Sequence, residues 1–99
     1  MTTEKTLEGT KLTVAIHGRV DTKTSPQLEK ELLSSLDGVK ELILDFADVE
    51  YISSDGLRTL LNVYRTMYGN GNMKVIHPNE LVQEVFEVTG YLNIMDIEC

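Results

Sequence analysis

Between Lys11 and His17 apolar and polar residues alternate, with Leu12, Val14 and Ile16 on one face and Lys11, Thr13 and His17 on the other. A period of two belongs to an extended chain covered on one side. The turn residues Glu8-Gly9-Thr10 stand just before it, which predicts a short edge strand over Thr3–Leu7 folded back as a hairpin. At Ser25 the period changes. Leu28, Leu32 and Leu36 recur every four residues with Leu33 beside them, while Gln27, Glu29, Lys30 and Glu31 fill the other side. This predicts a helix from Ser25-Pro26 to Leu36. Serine satisfies free amides at a helix start, proline has no amide to leave unpaired there, and Asp37-Gly38 supplies the stop.

Glu41-Leu42-Ile43-Leu44-Asp45-Phe46 contains a run of consecutive apolar residues, the pattern of a central strand covered on both faces, and Ala47 to Ser53 reads as a loop. A second helix is predicted from Ser54 or Asp55. Leu57, Leu60, Leu61, Tyr64 and Tyr68 keep helical spacing, Arg58, Asn62 and Arg65 lie opposite, and Gly69-Asn70-Gly71-Asn72 stops it. Tyr64, Met67 and Tyr68 read as a packing stripe. Met73 to His77 forms a further short strand closed by Pro78, and a third helix from Asn79 to Thr89-Gly90 uses Leu81, Val82, Val85 and Phe86 as its apolar side. The tail, Tyr91 to Ile97, has room for a helical turn and a short strand. Strands separated by helices require right-handed crossovers and parallel pairing. The predicted fold is therefore α/β: a small mixed four- to five-stranded sheet with an N-terminal β-hairpin and three to four helices, as a single domain over residues 1–99.

Composition narrows the function. The chain has 99 residues, 41% hydrophobic, with nine Lys+Arg against sixteen Asp+Glu and a formal charge of -7. A domain of this size buries about two-thirds of its unfolded surface without a metal or disulfide. The acid excess is spread along the chain, and no basic stripe offsets it, which argues against direct nucleic-acid binding. The longest apolar run, near Leu42-Ile43-Leu44, is far short of the ~20 residues of a membrane span. Met1-Thr2-Thr3-Glu4-Lys5 lacks a basic region, apolar stretch and cleavage site, so a cytoplasmic protein is expected. Cys99 has no partner for an internal disulfide. His17, His77 and Cys99 lack metal-ligand spacing, and Asp45, Asp48 and Glu50 lack the glycine-containing loop of a calcium hand. No metal and no cofactor are expected.

Ligands of open α/β sheets bind outside the carboxyl ends of the strands. The segments Gly18–Ser25 and Ala47–Asp55 fall there. The second places Ser53, Ser54 and Asp55 where a helix starts, and two readings stand side by side. Ser and Asp cap helices by accepting from unpaired amides. Alternatively, one of these serines accepts a phosphoryl group, because free amides and the positive end of the helix dipole tolerate a phosphate there. The added charge of about -1.5 to -2 would then oppose burial against an acidic or nucleotide-bearing partner, making a binding switch.

The segment Asp48-Val49-Glu50-Tyr51-Ile52-Ser53-Ser54-Asp55-Gly56-Leu57-Arg58-Thr59-Leu60-Leu61 resembles the signature of STAS domains, particularly the stand-alone anti-sigma factor antagonists of bacteria. Gly18-Arg19-Val20-Asp21 is similar to their glycine-x-aliphatic-aspartate motif, and Val88-Thr89-Gly90-Tyr91-Leu92 agrees with their closing segment. The resemblance implies a non-enzymatic regulator of transcription that works by partner switching. Unphosphorylated, such a protein binds an anti-sigma factor that is itself an ATP-dependent serine kinase. Phosphorylation breaks the complex and a PP2C-type phosphatase restores it. Aligning Gly56-Leu57 with the family's glycine-leucine places the phosphorylated serine at Ser54. The implied partner-binding residues are Asp21, Ser53, Ser54, Asp55, Gly56, Leu57 and Arg58.

Asp55 departs from the family's usual serine, threonine or alanine. It is read either as a charge that weakens kinase docking or imitates the phosphorylated state, or as a first-turn residue favoured by the helix dipole. Asp21 is read either as a turn residue or as a partner contact. Two competing functions remain open: a STAS adaptor subunit of a transport or stress-signalling complex, without phosphorylation, and a small phosphoacceptor or hydrolase using Asp45, Asp48 or Ser54.

Overall fold

The computed structural model describes residues 1–99. Strand β1 (Thr2–Glu8) folds back on β2 (Lys11–Val20). Helix α1 (Ser25–Leu33), strand β3 (Glu41–Ile52), helix α2 (Ser54–Met67), strand β4 (Asn72–Ile76), helix α3 (Glu80–Val88), a 3-10 turn at Tyr91–Asn93 and strand β5 (Asp96–Glu98) follow. The strands form one five-stranded sheet in the order β1-β2-β3-β4-β5. β1 pairs antiparallel with β2, and every other pairing is parallel. This is the mixed α/β sheet with an initial hairpin that the alternation and crossovers predict.

The sheet is covered on one face. Leu12, Val14 and Ile16 of β2, Leu42, Leu44 and Phe46 of β3 and Val75 of β4 join Leu28, Leu32, Leu60, Val63, Val82 and Phe86 of the helices in one apolar cluster. The Phe46 and Phe86 rings lie 6.1 Å apart, which fixes α3 to the centre of the sheet. The expectation that β3 is buried on both faces is therefore corrected. Ile43 stands on the open face between its cross-strand neighbours Thr13 and Lys74, half-buried by them rather than by a helix.

The predicted loop from Ala47 to Ser53 is also corrected: β3 continues to Ile52. Its pairing with β2 skips one residue between Asp45 and Asp48 and another between Val49 and Tyr51. Two β-bulges shift the inward positions to Phe46, Val49 and Ile52, a spacing of three that hides the strand from a search for strict alternation.

Helix α1 ends at Leu33, earlier than predicted, because the Ser34 and Ser35 hydroxyls both donate to the Glu31 carbonyl and divert the helical ladder. Leu36 still packs on the core from the turn that follows. Tyr68 and Leu81 do not belong to the core. Tyr68 caps α2 where the chain turns away, and Leu81 lies at the solvent margin of α3; they are 73% and 50% exposed. At Gly71 a Cβ would run into the Lys40 carbonyl, which accepts from the Asn72 amide at 2.8 Å and starts β4 beside β3. No helix is long and apolar enough to cross a membrane.

Phe86→Ala should cost about 3–5 kcal/mol of unfolding free energy in urea, since a fully buried ring leaves a cavity at the sheet centre. Leu81→Ala should change it by less than ~1 kcal/mol. Equal losses for the two would contradict this packing.

Candidate functional site

The bulged end of β3 rises beside the last residues of β2. There the Arg19 guanidinium sits 4.7 Å over the Tyr51 ring, and the Ser53 amide donates to the Val20 carbonyl at 2.8 Å. The chain then enters α2. Ser53 is the N-cap: its backbone is extended, and its hydroxyl accepts from the Gly56 amide at 3.3 Å. A Cβ at residue 56 would lie 2.7 Å from Ile52 Cγ1 and 2.8 Å from Val20 Cγ1. Glycine is what lets the first turn of α2 rest on the two strands.

Ser54 and Asp55 occupy that first turn. Ser54 is exposed, and none of the side-chain hydrogen bonds around the turn uses it. Its hydroxyl projects at the positive end of a fourteen-residue helix. Asp55 is turned aside. One carboxylate oxygen accepts from the Thr22 hydroxyl at 2.8 Å, and the other is 3.6 Å from Arg58. Gly56 and Leu57, grouped from the sequence with the contact residues, are both buried and form the base of the site rather than its surface. Arg58 is exposed on the rim.

Asp21 is held within its own turn. Its carboxylate accepts from the Lys23 and Thr24 amides at 3.0 and 3.1 Å, and Arg19 lies 3.7 Å away. Ser25, predicted to cap α1, instead donates its hydroxyl to the Asp21 carbonyl at 2.6 Å, and Thr24 holds the cap position. The two loops do meet, but the bridge runs from Thr22 to Asp55.

The remaining acids are apart from this site. Asp48 pairs with His17 Nδ1 at 2.7 Å and Asp45 with His77 Nδ1 at 3.3 Å. His17 Nε2 is 2.9 Å from Glu4 but is not aligned for a hydrogen bond. No three His, Cys, Asp or Glu side chains converge as a cation site.

The sequence reading missed Tyr91. Its hydroxyl donates to the Leu57 carbonyl at 2.7 Å, while its ring stacks on Phe86 at 6.1 Å. Burial pushes the Tyr91 phenol up. A tail tyrosine carries no periodic signal for a contact 34 residues back along the chain.

Two outcomes follow. Gly56→Ala should cost about 1–3 kcal/mol in urea unfolding because the methyl group has no space, whereas Ser54→Ala in the same turn should stay within ~0.5 kcal/mol. The Thr24 amide above all, with the Lys23 amide, the Thr24 hydroxyl and Arg19, holds the Asp21 carboxyl below its ordinary 3.8 against desolvation, the second-largest influence. A carboxyl lowered on folding stabilises above its unfolded value, and the contribution disappears as pH falls through the lowered value. Carboxyl NMR should show Asp21 titrating below 3.8, and Asp21→Asn should remove its share of the acid limb of stability.

Comparison with known proteins agrees with this architecture. The STAS domain family model matches residues 2–98. BtrV of Bordetella bronchiseptica, whose name proposes an anti-sigma factor antagonist, is 34% identical over 88 residues, covering 87% of this chain and 76% of BtrV. The anti-sigma-B factor antagonist of Bacillus subtilis is 26% identical over 87 residues, covering 87% and 80%. The anti-sigma factor antagonist SpoIIAA in its unphosphorylated form superposes with a TM-score of 0.84 at 17% identity, covering 97% and 87%. The phosphorylated form of SpoIIAA from Bacillus superposes at 0.75 and 16% identity, covering 97% and 90%. With a family match that spans nearly every residue, the chain belongs to the STAS domain family.

Proposed function

We propose that this chain is a non-enzymatic anti-sigma factor antagonist, a single STAS domain over residues 1–99 that binds an anti-sigma factor of the ATP-binding serine-kinase type and is switched off by phosphorylation at Ser54. A PP2C-type phosphatase resets it. The observation that carries this reading is the state of Ser54: an exposed, unengaged hydroxyl on a first helical turn whose base, Gly56 and Leu57, is packed against the sheet. Ser53 is the weaker acceptor because its hydroxyl is already committed to the Gly56 amide. The names of BtrV and the Bacillus subtilis relative support the antagonist reading, and the two SpoIIAA structures support a phosphorylated state of this fold.

The switch is electrostatic and steric rather than conformational. A phosphate on Ser54 adds about -1.5 to -2 of charge to a surface that already carries Asp55. The free amides of the first turn accommodate it, so α2 persists. What changes is the partner's cost of burying that surface. A kinase holding nucleotide phosphates close to the contact would meet like charge and be released.

Incubation with ATP and candidate ATP-binding anti-sigma kinases, followed by intact-mass and site mapping, should place a single phosphate on Ser54. Ser54→Ala should bind the partner and take up no phosphate. Phosphate persisting on the Ala variant, or phosphorylated protein that binds as well as the unmodified form, would overturn the assignment.

A further inference from the structure

Helices α1 and α2 are joined at the switch end by a polar seam. Thr22 donates to Asp55 at 2.8 Å, Thr59 to the Ser25 carbonyl at 3.4 Å, and Asn62 to Glu29 at 3.1 Å. Residues 55, 59 and 62 fall on one face of α2, and the three bonds lie about one helical turn apart. They border a cleft of about 420 Å³ that contains no hydrophobic lining residue.

The bonds differ in what they hold. The lower two join helix to helix, where Leu28, Leu32, Leu60 and Val63 already fix the packing. The uppermost reaches beyond α1 into the exposed turn Asp21–Thr24, whose other bonds are internal or run back to β2 and into α1. Without it, nothing in the hydrogen-bond pattern ties the Thr22 side of that turn to the helix bearing Ser54. The same bond settles where the Asp55 charge goes. Successive helix residues are about 100° apart around the axis, so Asp55 faces Thr22, Arg58 and the cleft while Ser54 faces outward.

We propose that Asp55 is a positioning residue: through Thr22 it locks the β2–α1 turn beside Ser54, so that the partner meets one preformed surface, and it does not act as a built-in imitation of phosphoserine. The inference rests on the proposed antagonist function for its consequence in binding. The lock itself is a property of the isolated protein. Ordering the turn in advance removes an entropic cost that the partner would otherwise meet on association.

The two roles of Asp55 predict opposite signs. If it locks the turn, Asp55→Ala and Thr22→Val each weaken binding of the unphosphorylated protein to its anti-sigma kinase by about three- to tenfold, the effect of one hydrogen bond. The double variant is then little weaker than either single one. Thr22→Ser and Asp55→Asn, which keep a hydroxyl donor and an oxygen acceptor, restore most of the affinity. If Asp55 imitates a phosphate, both Asp55→Ala and Asp55→Asn bind more tightly than wild type, and that result overturns the proposal.

Amide hydrogen exchange on the isolated protein separates this inference from the functional reading. The Asp21, Lys23 and Thr24 amides, all hydrogen-bonded within the turn, should exchange faster in Asp55→Ala and Thr22→Val than in wild type. Amides in the middle of α2 should be unchanged in Thr22→Val, which leaves that helix untouched. Unaltered exchange in the turn refutes the lock whatever the partner assay shows. Faster exchange, together with phosphoserine at position 54 that fails to release the partner, upholds the lock and overturns the proposed switch.

Discussion

The contact between Gly56 and the ends of β2 and β3 sets the geometry of the first turn of α2, where Ser54 lies. With no side chain at 56, the first turn of α2 settles against Val20 and Ile52. The Ser53 amide can then reach the Val20 carbonyl, and the Ser53 hydroxyl can cap the helix. A bulkier residue would lift the turn off the sheet and break both arrangements. The consequence is a helix terminus rigidly mounted on the sheet, with Ser54 as its outward hydroxyl. The proposed phosphorylation of Ser54 would rely on this mounting, because added charge that leaves the helix folded is read as a surface property.

The mounting is reinforced from the opposite end of the chain. Tyr91 stacks on Phe86, which packs near Phe46 on the central strand, and its hydroxyl holds the Leu57 carbonyl in the first turn. The C-terminal segment therefore supports the first turn of α2 although it carries none of the exposed candidate site. Its buried hydroxyl is satisfied by a carbonyl that already lies within the helix, so the contact adds a tie without disturbing the helical ladder.

Acidic side chains outnumber basic ones by sixteen to nine, and several have specific tasks in the structure. Asp21 organises its own turn, Asp55 ties the first turn of α2 to the turn between β2 and α1, and Asp45 and Asp48 pair with histidines on the open side of the sheet. These acids are thus scaffolding as much as surface charge. Asp55 shows why residue type alone misleads: a carboxylate beside an exposed serine suggests a phosphate mimic, but its hydrogen bond to Thr22 directs it toward the cleft.

The order of elements, the hairpin, the start of α2 at Ser54 or Asp55 and the motif that marks the family were legible in the sequence alone, because each is encoded in local periodicity, capping chemistry or short-range spacing. Features set by contacts between distant segments were misjudged. The extension of β3 depends on bulges that appear only when β2 lies alongside, the bare face of the sheet depends on where all three helices pack, and the serines after Leu33 compete with a helix that the leucine spacing alone would prolong. The roles of Thr22 and Tyr91 were likewise invisible, since their hydroxyls act across 33 and 34 residues of chain. Local pattern fixes what a segment becomes, whereas the direction of a polar side chain is chosen by the partner that the tertiary fold brings within hydrogen-bonding distance.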